Sequence, residues 1–100
     1  MYQISNVKLF DGESGTVTQT VATNGGSFAA IDVVSISGTL TVKSGIVGTH
    51  ALAVKNASTD ATEATISAAG LWWVFVSPYE GVTVDGSSIG AGDEIFLGIQ

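Results

Sequence analysis

The segment Leu71–Val76, which reads LWWVFV, constrains the fold of this chain more than any other feature. Successive side chains of a β-strand point to opposite sides of the sheet, so Leu71, Trp73 and Phe75 share one side and the residues between them share the other. A strand with one solvent-exposed side would alternate apolar and polar residues. Both sides of this strand must therefore be buried. We expect one side to pack in the domain's own core and the other to pack against something outside that core.

Turn-forming residues recur along the rest of the chain, which has 13 Gly and one Pro and is rich in Thr, Ser, Val and Ile. Turns at intervals of about 8–12 residues are typical of antiparallel sandwiches and barrels. We predict an all-β fold, a single antiparallel β-sandwich domain over residues 1–100, jelly-roll or immunoglobulin-like, with about 7–9 short strands. The predicted strands are Tyr2–Phe10, Thr16–Ala22, Phe28–Ser37, Thr39–Lys43, Thr49–Lys55, Ala64–Ser67, Leu71–Ser77, Val82–Asp85 and Glu94–Ile99.

The segment Asn56–Gly70 also has features of a helix. Asp60 and Glu63 have the spacing of a capping box, and four alanines could support a short helix. The β-branched residues of the same segment favour a strand. We predict a loop followed by a strand, with at most a single helical turn near Asp60.

Charge and composition exclude several classes of function. Nine acidic residues face three lysines, Lys8, Lys43 and Lys55, and no arginine, which gives a net charge of −6. Three scattered lysines are too few to neutralise nucleic-acid phosphates or to bind an anionic membrane. The chain has no cysteine, so disulfides and zinc–thiolate sites are excluded. It has no apolar run of the ~18 residues that a membrane span needs and no secretion signal at its start.

The surface is short of charge. Only 12% of the residues are charged, the mean hydropathy is +0.43 and 45% of the residues are hydrophobic, whereas soluble domains typically carry about 25% charged residues. We expect an exterior rich in Ser, Thr and Gly, and also apolar surface that is buried against partners.

Candidate catalytic residues are few. His50 is the only histidine, and no nucleophile-elbow spacing accompanies it. We expect it to share a strand face with Leu52 and Val54, partly buried and bonded to the backbone. A single histidine cannot build a multi-histidine metal site within one chain.

The acidic residues lie in predicted loops or at strand ends, where calcium ligands often occur. No EF-hand spacing is present, and no local cluster offers more than two carboxylates, so we predict solvated turn residues. The sequence thus predicts no enzyme, and no catalytic, cofactor-binding or metal-binding residue. The acids considered are Asp11 with Glu13, Asp60 with Glu63, Asp93 with Glu94, and Asp85.

Asp32 lies within Phe28–Ile36, a strand that is otherwise apolar enough to be buried. An isolated buried carboxylate is very costly, so we expect Asp32 to be paired, hydrogen-bonded or at a subunit contact. Lys43, Lys55 and backbone amides are its candidate partners. Alternatively, it is an inward-pointing charge that prevents edge-to-edge aggregation.

The aromatic residues are the candidates for an interface. Trp72 and Trp73 face opposite ways, so we expect one ring in the core and the other at a subunit contact. A sugar platform built from Tyr79 and one tryptophan is the alternative. The predicted interface residues are Trp72, Trp73, Phe75, Tyr79 and Tyr2.

Residues 37–99 resemble small virion proteins of tailed bacteriophages. The similarity lies in a Ser-Gly-Thr-x-Thr-Val strand (Ser37–Val42), a Thr-Ile-Ser-x-x-Gly turn (Thr65–Gly70), the aromatic strand after it and the hairpin segment Val82–Val84. Many members carry arginines on this last hairpin, where this chain has Thr83 and Asp85. The resemblance implies a β-sandwich that assembles with itself and with a larger shell, such as a capsid decoration (cement) protein, and it brings no catalytic residues.

We therefore expect a non-enzymatic structural protein of a bacteriophage particle, most simply a capsid decoration protein. Its expected partners are copies of itself, for example in a trimer, and the major capsid protein or another virion protein, without cofactor, nucleic acid or membrane. Its expected location is the virion, which is assembled in the host cytoplasm. The alternatives are a receptor- or carbohydrate-binding β domain of a tail fibre or secreted protein, and a hydrolase that uses His50.

Overall fold

The computed structural model describes residues 5–44, 50–76 and 81–100. Over these residues the chain forms strands and turns and no helix. The all-β prediction is confirmed. The strands are β1 (Ser5–Leu9), β2 (Gly15–Ala22), β3 (Phe28–Ser35), β4 (Thr39–Ser44), β5 (Val54–Asn56), β6 (Thr62–Glu63), β7 (Gly70–Phe75), β8 (Gly81–Ile89) and β9 (Glu94–Ile99).

The strands form two antiparallel sheets that pack as a sandwich, as the sequence predicts. The large sheet has six strands in the order β1-β9-β3-β7-β5-β6, and the small sheet has three in the order β2-β8-β4. The chain changes sheet repeatedly along its length, so neighbours in a sheet are mostly distant in sequence. This arrangement places β3 and β7, the two most apolar segments, in the middle of the large sheet.

The core lies between the two sheets and follows the two-residue period of each strand. Ile31 of β3 lies opposite Trp72 of β7 on one side and Leu97 of β9 on the other, and all three are buried. Across the sandwich, the inward residues of the small sheet are mainly valines, among them Val82 and Val84 of β8. Such alternation on both sheets leaves each sheet with a second, outward face.

Phe10 marks the crossing of the chain from the large sheet to the small one. Its φ of 56° turns the backbone after β1, and its ring is buried in the core. Its N–H donates to Oε1 of Gln19 on β2, at 3.0 Å. Gly86 of β8 leaves the space for this ring, since a Cβ there would lie 3.1 Å from it and 2.6 Å from the side chain of Ile89.

The predicted strand Val82–Asp85 is too short, because β8 continues to Ile89. The strand bends at a bulge where Ser88 has a φ of 58° and the register against β2 shifts. Gly86 lies inside the strand, where it lets the core pack closely.

The segment from 49 to 67 departs most from the prediction. Predicted strands Thr49–Lys55 and Ala64–Ser67 are replaced by the short β5–β6 hairpin and by isolated bridges, of which Leu40 with Ile66 and Lys43 with Ala51 cover the edge of β4. In the hairpin loop, the N–H of Asp60 donates to the carbonyl of Asn56 at 2.8 Å, a single helical turn. Residues 45–49, which include the first residue of the predicted strand Thr49–Lys55, lie outside the part of the chain that the structure describes.

Val33 and Val34 are neighbours on β3 with opposite surroundings, since Val33 is 2% exposed and Val34 is 55% exposed. We expect Val33→Ala to lower the free energy of unfolding by about 2–3 kcal/mol, because it leaves a cavity in the core. Val34→Ala is the matched control and should change it by less than about 0.5 kcal/mol. Urea denaturation of both variants measures the difference. Equal losses would contradict this assignment of faces.

Candidate functional site

The outward face of the large sheet is apolar, although the chain leaves it exposed. We call this surface the aromatic face. Four of its large apolar side chains are exposed, those of Phe28 (41%), Leu71 (44%), Trp73 (36%) and Phe75 (53%). Its other members include Ala30 and Asp32 of β3, Phe96 and Gly98 of β9, Asn6 and Lys8 of β1, and Lys55 of β5.

Three rings of this face hold one another in place. The ring of Phe28 meets that of Trp73 edge to face, with centroids 5.4 Å apart, and that of Phe75 in the same manner at 5.5 Å. Such pairs contribute about 0.5–1.5 kcal/mol beyond the area they bury. The aromatic face is therefore ordered before any partner arrives.

Two adjoining depressions that share Ala30 and Gln100, here together called the central hollow, lie in the middle of the aromatic face. The hollow exists because Ala30 lies between Gly98 on β9 and Trp73 on β7, so two small residues stand beside a large one. One end has aromatic walls and the other is more polar. The lining residues are Phe28, Ala30, Trp73 and Gln100 at the first end, and Asn6, Asp32, Leu71, Phe96 and Gly98 toward the second.

Asp32 is the only charged side chain among the described residues that line the hollow. It is exposed on the aromatic face, opposite Leu71 and Phe96, so the expectation of a buried strand position is wrong. Both lysines predicted as its partners bind elsewhere, Lys43 to Asp85 and Lys55 to Asp60. Among the described residues, Asp32 has no hydrogen-bond or ion-pair partner.

The outward face of the small sheet is polar by contrast. Asp85 accepts a hydrogen bond from the hydroxyl of Thr18 at 2.8 Å and pairs with Nζ of Lys43 at 2.6 Å. The Lys43 ammonium, followed by the Thr18 hydroxyl, holds the pKa of Asp85 below its ordinary value. Thr20 and Thr83 are hydrogen-bonded beside them. Among the residues that the structure describes, the exposed large apolar side chains thus lie on the large sheet.

Trp72 does not belong with the predicted interface residues. Its ring is 3% exposed and lies in the core, because it occupies an inward position of β7. Its Nε1–H donates to Oε2 of Glu63 at 2.7 Å, which satisfies the one polar group of the ring. Of the two tryptophans, Trp72 is the core residue and Trp73 is the outward one.

Trp73 and Phe75 lie together on the aromatic face, whereas predicted residues Tyr2 and Tyr79 are outside the described part of the chain. Phe28 and Phe96 were missed by the sequence analysis. The alternation of Phe28, Ala30 and Asp32 along one strand was a usable signal for Phe28. The sequence held no comparable signal for Phe96, because the side of the sheet on which it lies depends on the pairing of β9 with β3.

The other candidates do not form a site. His50 is exposed at a bend outside the strands, so the expectation of a partly buried strand residue is wrong. In the part of the chain that the structure describes, no three side chains of the ligating types come together to hold a metal ion. A helix able to cross a membrane is likewise not found among those residues.

Asp93 is not a solvated turn residue as predicted, because it is mostly buried and joins two connections. Its carboxylate accepts hydrogen bonds from the N–H of Gly90 at 2.8 Å and from the N–H and hydroxyl of Ser37, both at 2.9 Å. The bonds from the Gly90 and Ser37 backbone hold the pKa of Asp93 below its ordinary value of 3.8. Asp93 thereby fastens the β8–β9 turn to the β3–β4 connection.

Fold and surface together define the class of this protein: a small two-sheet β-sandwich with one polar and one aromatic outer face. No protein-family model matches the chain, and comparison with curated proteins gives no match. Among solved structures, the fold is similar to that of the SPBc2 prophage-derived protein YomS, with a TM-score of 0.79. The match covers 97% of this chain and 91% of that one, at 10% sequence identity. At this identity the likeness establishes the fold.

The two tryptophans should differ in solvent access. With Trp73 as the only tryptophan, in Trp72→Phe, we expect fluorescence that acrylamide quenches readily. With Trp72 as the only one, in the matched variant Trp73→Phe, we expect a ring protected by the core. Stern–Volmer quenching of both folded variants measures the contrast. Similar quenching constants would show that the assignment of inward and outward rings is wrong.

Asp93 should contribute to stability in a pH-dependent way. Because folding lowers its pKa, its contribution is fully present above pH 3.8 and is lost as the pH falls through the folded value. We expect Asp93→Asn to be less stable than the native chain at pH 7, with a gap that narrows below pH 3.8. Urea denaturation across this range tests it, and the exposed Glu13→Gln is the control. An unchanged gap at low pH would contradict the role of the carboxylate.

Proposed function

We propose that this chain is a non-enzymatic structural protein of a bacteriophage particle that decorates and stabilises the capsid by docking through its aromatic face. The observation that carries the proposal is that face itself: four large apolar side chains, 36–53% exposed, stand together on one side of a sandwich whose other side is polar. Contiguous exposed apolar patches of this kind mark interaction surfaces.

The energetics suit an adhesive role. Burying apolar surface contributes about 25 cal/mol per Å², and a standard interface buries ~800 Å² on each partner. The edge-to-face packing of Phe28 with Trp73 and Phe75 orders these rings in advance, so docking loses little side-chain entropy. A rigid, flat sheet face of this type complements an extended surface such as a shell.

The likeness to a prophage-derived protein supports a phage origin. It agrees with the resemblance of residues 37–99 to small virion proteins, which rests on separate observations. The non-enzymatic part of the proposal is supported by the solvent-exposed position of His50, at a bend outside the strands. Self-assembly remains part of the proposal, through surfaces other than the aromatic face.

A second candidate function is carbohydrate binding, and the central hollow is the observation in its favour. Trp73 and Phe28 at one end, with amides of Asn6 and Gln100 and the carboxylate of Asp32 nearby, are side chains that bind sugars by stacking and hydrogen bonding. A glycan-array screen of the intact chain distinguishes the two functions, since the decoration proposal expects no signal.

The proposal is tested on particles of the phage that encodes the chain, prepared with its coding sequence deleted. Added wild-type chain should bind these particles in a density gradient and raise the temperature at which they release DNA. Trp73→Ser and Phe75→Ser should each weaken binding by about tenfold, because truncated aromatic anchors dominate interface losses.

Thr16→Ala is the matched control, since Thr16 is exposed on the outward side of the small sheet. It should bind like the wild type. Absence of the native chain from purified parental particles, or equal binding by the serine variants, would contradict the proposal.

A further inference from the structure

We infer that the aromatic face takes a segment of a different protein, which places an arginine side chain in the central hollow against Asp32. The inference rests on the proposed function, because it names the chemistry of the partner at the same face.

The requirement for a cation follows from Asp32. Its strand neighbours Leu71 and Phe96 are apolar, and within residues 5–44, 50–76 and 81–100 nothing donates to its carboxylate. In the free chain, water solvates this charge. A partner that covers the aromatic face removes that water, which is strongly unfavourable for the carboxylate unless the partner supplies a compensating group. The covering surface must therefore carry a donor, most effectively a cation.

A second copy of this chain is poorly equipped to supply it. The sequence has no arginine, and all three lysines are engaged in ion pairs. Lys8 and Lys55 lie on the same outward side of the large sheet, across from Phe96 and Trp73, but their ammonium groups contact Asp11 and Asp60, each at 3.3 Å.

Two aromatic faces packed together would also bring two Asp32 carboxylates into one apolar interface, between chains that each carry a net charge of −6. Like charges so placed repel each other and oppose association. The charge pattern thus favours a different protein over self-association at this face.

The shape of the hollow favours arginine over lysine. A guanidinium is planar, weakly hydrated and able to stack on aromatic rings while it donates to a carboxylate, whereas an ammonium is compact and strongly hydrated. The hollow offers the matching groups: the ring of Trp73 lines one of its two depressions and the carboxylate of Asp32 lines the other, with Ala30 shared by both.

The amide groups of the hollow add to this match. Asn6 and Gln100 line it, and their carbonyl oxygens can accept from the remaining guanidinium N–H groups. Arginine is enriched at interface hot spots in such desolvated positions.

The test is an NMR titration of the ¹⁵N-labelled full chain with capped pentapeptides in which valines and threonines flank a central residue. The central residue is arginine in one peptide and citrulline, its neutral isostere, in the other. We expect the arginine peptide to shift the amide signals of Ala30, Asp32 and Gly98 and to bind about fivefold more tightly than the citrulline peptide.

Asp32→Asn should remove the preference for arginine while the spectrum remains that of the folded chain. Glu13→Gln, which makes the same change in net charge at an exposed turn, should retain it. Equal affinity for the two peptides would overturn the inference, as would shifts outside the hollow. Concentration-dependent shifts of the same signals without peptide would show self-association instead. Shifts caused by cellohexaose but not by peptide would favour a carbohydrate ligand.

Particle binding separates this inference from the proposed function. If Asp32→Asn binds the deletion particles as well as the wild type does, the arginine inference fails and docking through the aromatic face stands. If the wild-type chain binds no particle, the proposed function fails, and the peptide titration still decides whether the hollow selects arginine.

Discussion

The antiparallel pairing of β7 with β3 sets the orientation of every other feature of the large sheet. Its register places Ile31 against Trp72 and Ala30 against Trp73, so that one pair enters the core and the next faces outward. A shift of this register by one residue would exchange the two faces. It would leave the indole N–H of Trp72 without Glu63 and fill the core with mismatched side chains. The outward surface is therefore a direct consequence of how the core packs.

The outward faces of the two sheets differ in composition. The small sheet covers its exterior with threonines and with the Lys43–Asp85 ion pair, which water solvates well. The large sheet covers much of its exterior with apolar side chains, and of the charged residues on this face Lys8 and Lys55 are ion-paired, whereas Asp32 has no partner among the described residues. A low charge content is tolerable in a small domain if such a face is buried in use. The contrast between the polar and the aromatic outer face is the reason for proposing a docking protein. The unpaired carboxylate of Asp32 is the reason for proposing that the partner presents an arginine.

The connections hold this arrangement with few polar contacts. Asp93 fastens two turns through backbone N–H groups, and Asn56 Oδ1 accepts from the N–H of Ser58 and Thr59 in the β5–β6 loop. Phe10 carries the chain between the sheets with its ring in the core. These residues lie apart from the aromatic face. Substitutions on that face can therefore alter binding with little effect on the fold.

Local sequence was sufficient for the fold class, most strand positions and the two-sided nature of Leu71–Val76, because side-chain alternation and turn chemistry act over a few residues. It also placed Trp73 and Phe75 on the same side of their strand, but it could not tell which of the two tryptophans lies in the core. That choice, the outward position of Asp32, the continuation of β8 through Gly86 and the contribution of Phe96 depend on which strands pair and in what register. Pairing is settled by contacts between residues far apart in the chain, so only the tertiary structure decided them.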